Sequence, residues 1–158
     1  MDSRIYSIGF SDGCSPASRA RRLCAIFFPA HNFPKITSLI ITAALKVLAG
    51  IKNKISAKEI REAIQTVGLD PDLKLPVKKY SLGMRQRLGL AQAIMENPSV
   101  LILDEPMNGL DKNGVEEIRK LLLFMKDESK IIVIASHNAE DIRVLCDEVH
   151  EMEQGELI

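Results

Sequence analysis

An α/β fold with helices packed on a parallel sheet is predicted by two features of the sequence. Unbroken apolar runs at 100–103 and 131–135 flank a stretch, 112–126, in which Val115, Ile118, Leu121, Leu122 and Met125 recur at helical spacing. Continuous apolar runs of this length suit strands covered on both faces, as in parallel sheets, and strand, helix, strand in that order makes a right-handed crossover unit. At 158 residues, 46% of them hydrophobic and 27% charged, the chain is the size of one domain and can bury a core, which excludes disordered, collagenous and disulfide-scaffold classes.

The elements follow in order from residue 45. Ser56 with Glu59 is a capping box, Ile60, Ala63, Ile64 and Val67 form the inward stripe of a first helix, and Gly68 closes it before the Asp70-Pro71 loop. A second helix starts at Ser81, carries Met84, Leu88, Ala91 and Met95 on one face, and ends at Asn97-Pro98. The strand at 100–103 delivers Asp104-Glu105, and the third helix leads to the strand at 131–135, which delivers Ser136-His137. Asn138 caps a fourth helix reaching Cys146, and 149–158 reads as a hairpin turning at Gln154-Gly155.

Residues 1–44 differ in kind. They hold five basic residues (Arg4, Arg19, Arg21, Arg22, Lys35) and two acids (Asp2, Asp12), with the other 19 acids beyond them, and no hydrophobic period persists among Gly9, Gly13, Pro16, Pro29 and Pro34. The division expected is therefore an atypical segment over 1–44 and a regular one over 45–158, split into a helical part at about 45–97 and a sheet core at about 98–158. Over the whole chain 21 basic residues balance 21 acidic ones, which offers no electrostatic reason to expect nucleic acid or a charged membrane surface as partner. Cys14, Cys24 and Cys146 are odd in number with no C-x-x-C pair, against a disulfide framework or a zinc site and in favour of a reducing, cytosolic setting. The most apolar stretch, 36–51, is interrupted by Lys46 and falls short of the ~20 residues that span a bilayer, and Pro29, His31 and Pro34 break the signal-peptide-like run after Arg22.

Two adjacent strands ending in Asp104-Glu105 and in His137 place titratable groups on one rim of a parallel sheet, where open α/β sheets bind ligands. Adjacent carboxylates there suit phosphoryl transfer: one acid holds magnesium, the other orients or deprotonates the attacking water. The plain alternative is that acids often follow strands as turn or cap residues. Ser81 and Gly83 open a helix whose unpaired amides and positive dipole end favour a phosphate, against the simpler reading of an ordinary serine cap.

Tyr80-Ser81-Leu82-Gly83-Met84 with Gln86-Arg87, then Leu101 to Glu105, Gly109-Leu110-Asp111 and Ser136-His137, together resemble the C-terminal half of the ATP-binding cassette (ABC) transporter ATPases, with Leu82 and Met84 departing from the commoner Gly and Gln of that signature. The resemblance, which runs from Leu45 to Ile158, implies a partial P-loop NTPase fold with a helical subdomain, and ATP and Mg2+ as cofactors. It makes Asp104 the magnesium-site acid, Glu105 the general base and His137 the switch residue near the terminal phosphate. Ser81, Leu82, Gly83 and Met84 become the signature that touches a nucleotide held mainly by a partner, and Asp111 the D-loop acid at the dimer interface. The partners implied are a second ABC ATPase subunit in a head-to-tail dimer and transmembrane permease subunits at the cytoplasmic membrane face, of the exporting kind.

No G-x-x-x-x-G-K-[ST], the glycine-rich phosphate loop known as Walker A, occurs in these 158 residues. The expectations are a truncated or rearranged cassette, with 1–44 read in a shifted frame or diverged, that binds nucleotide poorly unaided. If 1–44 supplies no strand, Leu101–103 keeps an uncovered edge and the chain is weakly stable and sticky. Two functions remain: an ATPase subunit, and a non-catalytic cassette that completes a site on an intact partner; a pseudogene product is the third outcome.

Overall fold

The computed structural model describes residues 4–9, 25–27, 45, 55–127, 130–153 and 156–157. In chain order these form β1 (Arg4–Gly9), β2 (Ala25–Phe27), α1 (Ala57–Thr66), a 3-10 turn (Val77–Lys79), α2 (Leu82–Ile94), β3 (Val100–Asp104), α3 (Lys112–Asp127), β4 (Ile131–Ser136), α4 (Ala139–Leu145), β5 (His150–Glu153) and β6 (Glu156–Leu157). Each helix expected from residue 56 onward is present, with ends set by the residues that predicted them. Ser56 accepts from the Glu59 amide while Glu59 reaches back to the Ser56 amide, and Gly68, at φ +74°, turns the chain out of α1. Asn138 Oδ1 accepts from the Glu140 and Asp141 amides and starts α4.

The sheet runs β2-β3-β4-β1-β5-β6. Its centre is the expected parallel unit, Val100 opposite Ile131 through Asp104 opposite Ala135, and β2 extends it in parallel, Ala25 beside Leu101 to Phe27 beside Leu103. The other half is antiparallel: β1 pairs with β4 (Ile5 opposite Ser136, Gly9 opposite Ile132) and with β5, and β5 with β6 as the expected hairpin. The hairpin's turn, 154–155, lies outside the described residues.

The edge expected to be bare on β3 is covered. β2 flanks it on one side and β4 on the other, so strands from within residues 1–44 close both the gap beside β3 and the gap beside β4. A strand needs only backbone groups in register to pair, and a segment without hydrophobic period can supply those, which is why periodicity missed both. The two faces of the sheet, both expected to be covered, are covered to different depths. Leu101, Leu103, Ile132, Ile134 and Ser136 are buried, whereas their alternates Val100, Ile102, Ile131 and Val133 are half-buried. The deep face joins one core with Leu45, Ile60 and Ile64 of α1, Leu88 and Ala91 of α2, and Ile118 and Leu122 of α3. No described helix is long and apolar enough to cross a membrane.

Candidate functional site

The site lies where β3 and β4 end side by side. Leaving β3, the chain turns at Glu105, whose φ of +48° is left-handed, a conformation that costs a residue with a Cβ about 1–2 kcal/mol. Three hydrogen bonds hold it there: the Glu105 amide donates to Ala135 O (2.8 Å), while its carbonyl accepts from the Asn108 amide (3.1 Å) and from Gln86 Nε2 (2.7 Å). The turn throws the carboxylate sideways onto the end of β4. There Glu105 Oε1 accepts from the His137 amide (3.1 Å) and lies 2.7 Å from His137 Nδ1. The acid and the histidine expected on one rim are thus in direct contact as one hydrogen-bonded pair, with the His137 ring mostly exposed and Glu105 mostly covered.

The side chain of Asp104, half-buried at the end of β3, has no hydrogen-bond or ion-pair partner among the described residues, which leaves its carboxylate free for a cation. No described group of three His, Cys, Asp or Glu side chains could hold a metal by itself. Magnesium in nucleotide sites takes one or two carboxylates and completes its shell with phosphate oxygens and water, so a lone Asp104 fits the protein's share of such a site. Magnesium bound there would neutralise charge on a transferring phosphoryl group.

The signature segment stands at the start of α2. Ser81 is exposed and its Oγ accepts from the Met84 amide at 3.1 Å, leaving the Leu82 and Gly83 amides among the unpaired donors of the helix start. Met84 packs partly against the core, so its side chain is turned from solvent. Leu82 is exposed and lies over the loop after β3, where Gly109 (φ +77°) passes beneath it: a Cβ on Gly109 would come within 2.5 Å of Leu82 Cγ. A Cβ on Gly83 would meet Gly109 O at 2.9 Å. Close backbone approach is therefore needed at Gly83, and its partner within this chain is the Gly109 carbonyl. Asp111 is exposed beyond that loop and caps α3 through the Gly114 amide (3.0 Å).

Gln86 and Arg87, read in the sequence only as part of the signature resemblance and given no role there, each hold the site's framework together. Gln86 is buried and binds the Glu105 carbonyl, and Arg87 reaches Val67 O (2.7 Å) and Glu117 Oε2 (2.8 Å), tying α1, α2 and α3 together. The signal for Gln86 was available: it shares a helical face with Gly89, Leu90 and Ala93, a polar side chain in a stripe that should be apolar.

A helix start, a strand-borne acid pair and a histidine on the next strand, set on an α/β core, have the arrangement of a nucleotide-binding cassette. The ABC transporter family model matches residues 15–108, more than half of the sequence, and the chain belongs to that family. The matched stretch begins 30 residues before Leu45, inside the segment whose composition looked foreign. The uncharacterized ABC transporter ATP-binding protein YybJ of Bacillus subtilis is 36% identical over 97% of this chain and 82% of its own length. That comparison spans 178 positions against the 158 residues here, so at least 20 of them have no counterpart in this chain. The bacitracin transport ATP-binding protein BcrA of Enterococcus faecalis is 41% identical over 72% of this chain but only 37% of its own length. Among solved structures, cbiO1 from Clostridium perfringens, part of the ABC transporter complex cbiONQ, superposes with a TM-score of 0.69 at 31% identity, covering 87% of this chain and 56% of that one. Against most of these relatives the chain spans about half of their length or less.

Proposed function

We propose that this chain is the ATP-binding subunit of an ABC transporter of the exporting kind, acting at the cytoplasmic face of the membrane through permease subunits. The observation that carries the reading is the Glu105–His137 pair at the joint end of β3 and β4, beside the free Asp104. Glu105 accepts a proton from the attacking water, His137 holds the carboxylate in place and reaches the terminal phosphoryl oxygen, and Asp104 supplies the carboxylate for magnesium. Ser81, Leu82, Gly83 and Met84, with Asp111, face a second cassette. Relatives named as ATP-binding proteins of bacitracin and lantibiotic transport support the transporter role.

A second reading, in which the chain is a non-catalytic cassette that completes a partner's site, is favoured by the direction of β1. Phosphate loops follow a strand and end at a helix N-terminus on the rim where the parallel strands finish. β1 runs opposite to β4, so Gly9 leaves the sheet beside Ile132, at the rim away from Glu105 and His137. Together with the absent G-x-x-x-x-G-K-[ST], this supports an altered N-terminal region over residues 1–44 and weak nucleotide binding by the chain alone.

Equilibrium binding of magnesium-ATP separates the readings. Saturable binding by this chain, and turnover abolished by Glu105→Gln, belong to the first. Absence of binding alone, with turnover appearing on mixing with a cassette that carries its own phosphate loop and lost on Ser81→Ala and Gly83→Ala, belongs to the second. No binding and no gain on mixing would end both.

A further inference from the structure

We propose that Gln86 is a positioning residue that couples the start of α2 to the Glu105–His137 pair, an inference that deepens the reading of Glu105 as the base. Gln86 is 2% exposed, and its Nε2 donates to the Glu105 carbonyl at 2.7 Å. That carbonyl belongs to a residue at φ +48°, which a side chain adopts only when its surroundings hold it. The other backbone bonds come from the sheet (Ala135 O) and from the turn itself (Asn108 N), so Gln86 is the bond to Glu105 that arrives from the helical part of the molecule.

Its direction has a consequence for the carboxylate. A left-handed residue at the end of β3 sends its side chain across to β4, whereas an extended one would continue the strand's alternation and point it away from His137. Gln86 sits one turn and a half into α2, five residues after Ser81, on a helix whose start touches Gly109 through Gly83. A shift of α2 relative to the sheet therefore pulls on the Glu105 carbonyl directly. The signature end of the helix and the acid that faces His137 move as one mechanical unit.

The His137 amide reports the pair, because it donates to Glu105 Oε1 at 3.1 Å. In 15N-labelled full-length chain, Glu105→Ala removes the acceptor and sets the full displacement of that amide resonance. Gln86→Met, which keeps length and loses the donor, is expected to displace it in the same direction by at least half as much. Gln86→Asn, which is shorter by one methylene and stays polar, is expected to do the same and covers the case in which the methionine variant fails to fold. Leu90→Val, a packing defect on the same buried face of α2, is expected to leave the resonance near its wild-type position. A His137 resonance that both Gln86 variants leave in place, or move no further than Leu90→Val does, overturns the proposal, as does one that ignores Glu105→Ala. The role of Glu105 as base is read separately, from turnover of Glu105→Gln: unchanged turnover sinks that role while the coupling by Gln86 stands.

Discussion

At the scale of single residues, the tightest constraint is at the two glycines between α2 and the loop after β3. A methyl group on Gly83 would press on a backbone carbonyl, Gly109 O at 2.9 Å, which cannot swing aside as a side chain can. Gly83→Ala is therefore expected to lower the melting temperature. Gly109→Ala adds a left-handed alanine, about 1–2 kcal/mol, to a contact with the movable Leu82 side chain, and chemical denaturation measures the loss. Tyr80 runs the other way. It is 3% exposed and its hydroxyl has no hydrogen-bond partner among the described residues, so Tyr80→Phe is expected to raise stability by up to about 1–3 kcal/mol in urea unfolding. Burial, with Asp70 nearby, also pushes the Tyr80 phenol above its ordinary value of 10.0. The neutral form is thus favoured by folding, its contribution is complete below about pH 10 and fades as pH rises through the folded value. Tyr80→Phe should flatten that alkaline decline, and an unchanged slope would assign it to other groups.

At the scale of elements, helix ends and one buried ion pair carry the argument. Arg119 of α3 donates from Nε (2.9 Å) and Nη2 (2.6 Å) to Oδ1 of Asp141 in the first turn of α4, and both residues are buried. That hydrogen bond raises the Arg119 guanidinium further above its usual range. Without Asp141, Arg119 keeps only the largely exposed Glu116 (3.0 Å) and Glu140 (3.8 Å), so Asp141→Ala is expected to cost less than the about 3–5 kcal/mol of a fully stranded charge but more than loss of the exposed Arg61–Asp72 pair. Urea unfolding of the two variants side by side checks the ranking. The capping serine of α2 is dual in use: Ser81→Ala should cost about 0.5–2 kcal/mol of stability whatever its role in binding, so binding must be measured at a temperature where the variant remains folded.

At the scale of the whole molecule, the sheet has its free edges at β2 and β6 among the described strands, because β1 and β2 occupy the flanks of β4 and β3. β2 is three residues long, a short edge that offers little template for another chain. The chain should therefore sediment as a monomer in the absence of nucleotide, and self-association growing steadily with concentration would mean that the short free edges at β2 and β6 do template pairing between copies. The helices and the central strands were legible from residue 56 onward because each carries local signals: Ser56 and Asn138 as caps, the 3.6-residue stripes of α1 and α3, and two apolar runs. The candidate residues Asp104, Glu105 and His137 were legible too, since strand ends in a parallel sheet share a rim. Only the tertiary structure decided that Glu105 turns left-handed onto His137, that Gly83 faces Gly109, that Gln86 holds the acid's carbonyl, and that β1 runs against β4. Those facts depend on contacts between residues 19 to 131 positions apart in the chain, and no local pattern encodes a pairing whose partner lies on another element.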